Sequence, residues 1–209
     1  MACNALPDEQ AQVMKSLRHQ LINFVAFQLG WFACVLSAAN NQPLLGIICA
    51  LLLLGLHFSL STQVRRDLVL VSAIALIGSS WDSLLTWQQL MQFSSGQYHH
   101  NLAPAWISAM WLMFASTINV SLRWLYRRYF LAAMLGAIAG PLAYQAGAAL
   151  GAVVLPQPLL TLGVMSIGWA LMMPLFIRLA QGIEPPACID DHIARRQINQ
   201  PSSVSGDIR

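Results

Sequence analysis

The chain has 209 residues, 57% of them hydrophobic and only 9% charged, with a formal net charge of +3. An average soluble domain carries roughly 25% charged residues, and a water-soluble core could not hide so many long apolar runs, so the solvent must be largely lipid. The length allows one domain. Membrane insertion accounts for the basic excess, and no nucleic-acid partner is expected.

Residues 1–20 form an N-terminal segment, with a short amphipathic helix expected over 7–20. Pro7 suits a first helical turn, Asp8 and Glu9 the positive end of the helix dipole, and Lys15 and Arg18 the negative end. Val13, Leu17 and Leu21 recur at four-residue spacing and give it one apolar face. The polar lead is long for a signal peptide, and the apolar stretch behind it exceeds the usual ~7–15 residues. The stretch reads as a retained first span.

Six spans of near ~20 residues each are expected, at 21–39, 43–63, 68–88, 104–122, 130–152 and 159–179. Together they make a transmembrane domain over 21–180. Turn signals divide them: Asn40-Asn41-Gln42-Pro43, Arg65-Arg66-Asp67, Ser94-Ser95-Gly96 and Pro156-Gln157-Pro158. A polar, Ser/Gly-rich tail over 181–209 is expected to be largely disordered. No internal repeat of the inverted-repeat transporter kind is visible.

All eleven Lys and Arg residues fall before residue 21, at Arg65 and Arg66, at Arg123, Arg127 and Arg128, or from Arg178 onward. The connections at 40–42, 88–103 and 155–158 carry none. The positive-inside rule then places those three connections outside and both termini in the cytoplasm. The expected fold is an all-α polytopic bundle of six transmembrane helices, N-in and C-in, in the inner membrane.

Asp82 is the one acidic residue inside an expected span. A central Asp costs about 2.5–3.5 kcal/mol on insertion scales, so such residues mark function or a buried structural role. No Lys or Arg within a span can neutralise it. It must be protonated, hydrated, hydrogen-bonded or bound to a cation. At ~1.5 Å per residue, Tyr144 and Gln145 of the fifth span reach its depth, as does the fourth span near Ser108 to Trp111. Tyr144, Gln145 and Ser80 can all donate to a carboxylate, which makes Asp82, Tyr144, Gln145 and Ser80 the candidate binding cluster. A second polar set toward the cytoplasm pairs Gln28 with His57, which are at similar depths.

Gly136 and Gly140 form one G-x-x-x-G, Gly147 and Gly151 another, and Ala139, Ala143, Gly147 and Gly151 continue as a stripe. Small residues let helices approach closely in lipid. The stripe fits packing within the chain, and Gly136, Gly140, Gly147 and Gly151 would also allow a homo-oligomer. Cys34 and Cys49 share a depth and read as small packing residues. His99 and His100 lie in a loop without further ligand types, so no metal site is expected. Neither are a cofactor, a catalytic triad or a phosphate loop.

The segments Asn23…Gln28…Trp31, Trp81-Asp82, Pro104-x-Trp106…Trp111…Phe114 and Gly140-Pro141-x-x-Tyr144-x-x-Gly147 occur in an order that resembles an uncharacterised bacterial membrane-protein family, domain of unknown function 2878. The resemblance covers about 21–180 and implies a bacterial membrane location. It brings no activity and no cofactor. The function expected first is a non-catalytic component that binds a lipid or a membrane-protein partner, with a polar pocket around Asp82. A small proton- or cation-coupled transporter is the alternative, and an intramembrane enzyme acting on a lipid the third.

Overall fold

The computed structural model describes residues 6–183; most of the expected tail, from residue 184, lies outside the described residues. Six α-helices follow in order: α1 (Leu6–Ala39), α2 (Pro43–Leu60), α3 (Val64–Trp87), α4 (Ala105–Ile118), α5 (Tyr129–Ala149) and α6 (Pro158–Ile183). Two-residue strands β1 (Gln92–Phe93) and β2 (Val153–Val154) pair antiparallel, Gln92 opposite Val154 and Phe93 opposite Val153. Proline opens α2 and α6, where its missing N–H costs no helical bond. The α1–α2 turn places Asn41 at φ 59°, in the left-handed region that Asn tolerates.

The expected boundary at residue 20 does not interrupt α1. Its 34 residues form one helix, since no Gly or Pro stands between Leu17 and Leu29 to break it. At 1.5 Å per residue it is about 51 Å long, well beyond a ~30 Å hydrocarbon core. Five helices, α1, α2, α3, α5 and α6, are long and apolar enough to cross a membrane.

The fourth expected span, 104–122, is helical only over the 14 residues of α4. That is about 21 Å of helix, short of the core thickness. Residues 119–122 form a turn instead, and a 3-10 helix, Arg123–Leu125, follows. Helix α4 is surrounded by the rest of the protein. It packs on α1, α2, α3 and α6 and buries Trp106, Ile107, Ala109, Trp111, Met113 and Ile118. A helix apolar on all sides belongs in such a core.

The connections collect at two ends of the bundle. At one end, Ser95 Oγ donates to the Ala38 carbonyl (2.7 Å), Trp106 Nε1 to the Ser95 carbonyl (3.2 Å) and Thr161 Oγ1 to the Leu90 carbonyl (2.8 Å). The β1–β2 clasp lies there, and Ser94 Oγ donates to the Gly151 carbonyl. At the other end, Asn119 Nδ2 donates to Asp67 Oδ1 (3.0 Å), Ser121 Oγ to the Gln20 carbonyl (2.9 Å) and Tyr129 OH to Gln181 Oε1 (2.8 Å). Lys15, Arg18, Arg65, Arg66, Arg123, Arg127, Arg128 and Arg178, the described basic residues, all belong to segments of this second end.

Close approach in the bundle interior comes from aromatic rings seated on glycines. Trp111 lies against Gly78, Trp169 against Gly140 and Trp81 against Gly168; a Cβ at any of these glycines would overlap the ring. Lipid tails supply no hydrophobic drive between helices, so packing of this kind holds them. Gly136 rests on the Trp169 carbonyl and Met173. The buried face of α5 is therefore Gly136, Gly140, Tyr144 and Gly147, and α6 of the same chain covers Gly136 and Gly140. The expected stripe is rotated from this face. Ala139 is exposed, Gly147 meets Val153 of β2, and Gly151 meets Ala39. Gly46 backs onto the α1 backbone at Ala33 and Cys34, and Cys34 and Cys49 are both free thiols.

Candidate functional site

Asp82 is fully buried. It lies in the half of α3 nearer the β1–β2 clasp, on the face that carries Gly78, Leu85 and Thr86. Trp111 Nε1 of α4 donates to Oδ2 at 2.7 Å. The Tyr144 hydroxyl of α5 is 2.7 Å from Oδ1 and 2.6 Å from Oδ2, so one proton is shared between both oxygens. The carboxylate thus joins three helices. Hydrogen bonds to charged groups contribute about 1.5–3 kcal/mol each, enough to offset the insertion cost of the Asp. Around them, Trp111 stacks on Trp169 with ring centroids 5.0 Å apart and an interplanar angle of 18°. Phe114 and Phe176 meet these rings edge-on. Of the three glycine-seated tryptophans only Trp111 reaches the carboxylate. The Trp81 and Trp169 indole N–H groups are buried with no protein acceptor, which fits rings placed for packing.

Two residues expected in this cluster lie elsewhere. Ser80 and Gln145 are both exposed on their helix surfaces. Successive helical residues differ by about 100° in azimuth, so Gln145 turns away as Tyr144 turns inward, and Ser80, two positions before Asp82, points to the opposite side. The Trp111 indole, by contrast, is a partner that the depth argument reached without naming as a donor. Among the described residues no open pocket reaches Asp82, whose side chain is fully buried. A void of about 20 Å³ next to Tyr144, bounded by Trp31, Trp106 and Gly147, does not reach the carboxylate and has room for about one water.

Open space lies at the opposite, basic end. A cavity of about 570 Å³ sits below the C-terminal end of α4, within the ~300–1,000 Å³ typical of ligand sites. It exists because α4 stops short while the surrounding helices continue. Ser16, His19 and Gln20 of α1 form one wall, and His57, Arg66 and Asp67 of α2 and α3 face the cavity from another side. Asn119, Val120 and Arg123 close the α4 side, and Leu60, Ala180 and Ile183 add apolar surface.

Asp67 organises this end. Its Oδ2 accepts from Ser61 Oγ at 2.5 Å and lies 3.9 Å from His57 Nε2. Its Oδ1 accepts from Asn119 Nδ2, and Asn119 Oδ1 accepts in turn from the Tyr126 hydroxyl at 2.7 Å. Arg66 Nη1 donates to Gln63 Oε1 at 2.6 Å, and the Arg123 guanidinium lies over the Tyr126 ring, 5.7 Å from its centroid. The partner of His57 is thus Asp67 and not Gln28. Gln28 is half-buried on α1 and makes no side-chain hydrogen bond among the described residues. Asp67 had served in the sequence only as part of a turn signal. The three-residue connection at 61–63 folds it back beside His57, a proximity that the shortness of the loop does encode. No group of three or more metal-ligating side chains occurs among the described residues.

Five spanning-length apolar helices around a buried sixth are consistent with a multi-pass membrane protein. The chain belongs to the family described as "Protein of unknown function (DUF2878)", whose model matches residues 20–175. That match takes in the Asp82 cluster and most of the cavity wall, but ends before Ala180 and Ile183. No curated protein and no solved structure matches the chain.

Proposed function

We propose that this protein is a non-catalytic inner-membrane component, with both termini cytoplasmic, that binds its ligand in the cavity at the basic end of the bundle. The observation that carries the reading is the cavity itself: about 570 Å³ with hydroxyl, amide, imidazole and guanidinium groups on its walls and apolar side chains beside them. That mixture suits an amphiphile whose polar part sits at the membrane boundary. The Asp82 cluster serves the site indirectly, as the fastening that holds α3, α4 and α5 in place above it. A carboxylate already held by Trp111 and Tyr144, with no cavity against it, is a poor exchange site for a transported ion. The segregation of basic residues to one end supports the orientation.

Filling the cavity tests this. Val120 is half-buried in its wall, and Val120→Trp should remove ligand while leaving the bundle folded. Native mass spectrometry of the protein extracted with its own lipids reads occupancy, and thermal melting reads folding. A parent protein that carries no bound molecule, or a Val120→Trp variant that keeps it, would overturn the assignment.

A further inference from the structure

We propose that the ligand of this cavity is a lipid whose headgroup carries free hydroxyl groups, one of them held between His57 and Asp67; this rests on the reading of the cavity as the binding site. The gap between those two side chains is the first argument. His57 Nε2 and Asp67 Oδ2 lie 3.9 Å apart, too far for a direct hydrogen bond. The His57 side chain is only 10% exposed, lines the cavity and makes no hydrogen bond among the described residues. Each Asp67 oxygen already accepts one bond, from Ser61 or from Asn119, and a carboxylate oxygen has room for a second. A ligand oxygen about 2.8 Å from both Nε2 and Oδ2 closes the gap.

Hydrogen-bonding sense is the second argument. The atom in that gap must accept from the imidazole N–H and donate to the carboxylate. An alcohol does both. A phosphate diester only accepts, a primary ammonium only donates, and a choline nitrogen carries no N–H at all. The rest of the wall offers groups of both senses. The Thr62 hydroxyl and the His19 imidazole make no hydrogen bond among the described residues. Gln63 spends its carbonyl oxygen on Arg66 and keeps its amide N–H groups. Such a wall suits a headgroup with several hydroxyls, a glycerol or a sugar.

Location gives the third argument and names the source of the hydroxyls. His57 stands in the last turn of α2, where an apolar helix ends and headgroups lie. Leu60, Val120, Ala180 and Ile183 line part of the cavity. A free sugar or free glycerol has no use for such a wall, whereas the upper acyl region of a lipid covers it and removes apolar surface from water.

The test uses the full chain in nanodiscs of phosphatidylcholine doped with phosphatidylglycerol, glucosyl diacylglycerol or phosphatidylethanol. Phosphatidylethanol has the charge of phosphatidylglycerol without its hydroxyls. Lipid retained by the ejected protein is read by native mass spectrometry. At least one of the two hydroxyl-bearing lipids should be enriched about tenfold over phosphatidylcholine, the scale of one hydrogen bond to a charged group, and phosphatidylethanol should not be. Enrichment of phosphatidylglycerol alone would assign the hydroxyls to glycerol, and of glucosyl diacylglycerol alone to a sugar. His57→Phe keeps a ring in place and should erase the enrichment while lipid is still retained. His100→Phe, in the loop at the other end, should leave it intact. Equal enrichment in the parent and in His57→Phe would overturn the proposal. So would phosphatidylethanol enriched as strongly as the hydroxyl-bearing lipids, a comparison made in the parent alone that stands whether or not the variant folds. Lipid retained without any preference would overturn hydroxyl recognition and leave the cavity a lipid site, with Val120→Trp as its separate check. Retention of free glycerol or glucose with no lipid would overturn the lipid source.

Discussion

The Tyr144 hydroxyl bridges both carboxylate oxygens of Asp82, at 2.7 and 2.6 Å, and so ties α5 to α3. These two helices otherwise barely touch, and α6 packs against both. The bond therefore fixes a distance that packing alone leaves loose, and Trp111 completes it from α4.

Replacing Asp82 separates charge from hydrogen bonding. Asn keeps one oxygen to accept from Trp111 and an amide that can donate to the Tyr144 oxygen. Asp82→Asn should melt close to the parent in detergent. Asp82→Leu strands two buried donors at about 1–3 kcal/mol apiece and should melt well below it. Tyr144→Phe should fall between, because Trp111 still serves the carboxylate. An Asp82→Asn variant as unstable as Asp82→Leu would show that the charge itself is required, and the fastening role would be lost.

The glycines of α5 should differ sharply. A methyl at Gly140 would run into the Trp169 ring, and a methyl at Gly147 would meet Val153 at an ordinary 3.7 Å. Gly140→Ala should destabilise by about 1–3 kcal/mol through overpacking, and Gly147→Ala should be near neutral. Chemical denaturation in mild detergent can rank the two. Equal effects would mean that Trp169 moves aside without cost.

Much of this architecture was readable because lipid forces long apolar runs and segregates charge. The helix-to-helix order, the bare connections and the shared depth of Asp82 and Tyr144 follow from counting residues. Azimuth does not: Ser80 and Gln145 lie at the right depth on the wrong side of their helices. Nor did hydropathy distinguish α4, which is buried in protein, from a helix bathed in lipid, since both read as apolar all round. The cavity is a consequence of α4 ending at Ile118, where Asn119 to Leu122 turn instead of continuing. The β1–β2 clasp, two residues on each side, is too short for any period to register.

Asp67 should matter for stability as well as for the cavity. It holds the α2–α3 connection through Ser61 and the end of α4 through Asn119. Asp67→Ala removes both acceptors and leaves His57 without its neighbour. A loss of about 1–3 kcal/mol is expected, with Asp67→Asn milder because one acceptor survives. Hydrogen exchange around 57–67 and 117–122 should quicken in Asp67→Ala. Unchanged exchange there would show that the two segments are held by packing alone.

Orientation in the membrane is the last expectation, and it follows from the two ends of the bundle. Every described Lys and Arg is at the end that holds the cavity, and the end with the β1–β2 clasp has none. Retention of the basic end on the cytoplasmic side then exposes the loop around Tyr98, which is 93% exposed, to the outside. Single-cysteine variants in a background lacking Cys3, Cys34, Cys49 and Cys188 can read this in intact cells with a membrane-impermeant maleimide. A cysteine at Tyr98 should label at once, and one at Gln63 only after permeabilisation. The reverse pattern would place the cavity outside and remove the cytoplasmic side as the source of its proposed ligand. Labelling at both positions in intact cells would mean that the chain inserts in both orientations, and that the charge asymmetry does not decide topology.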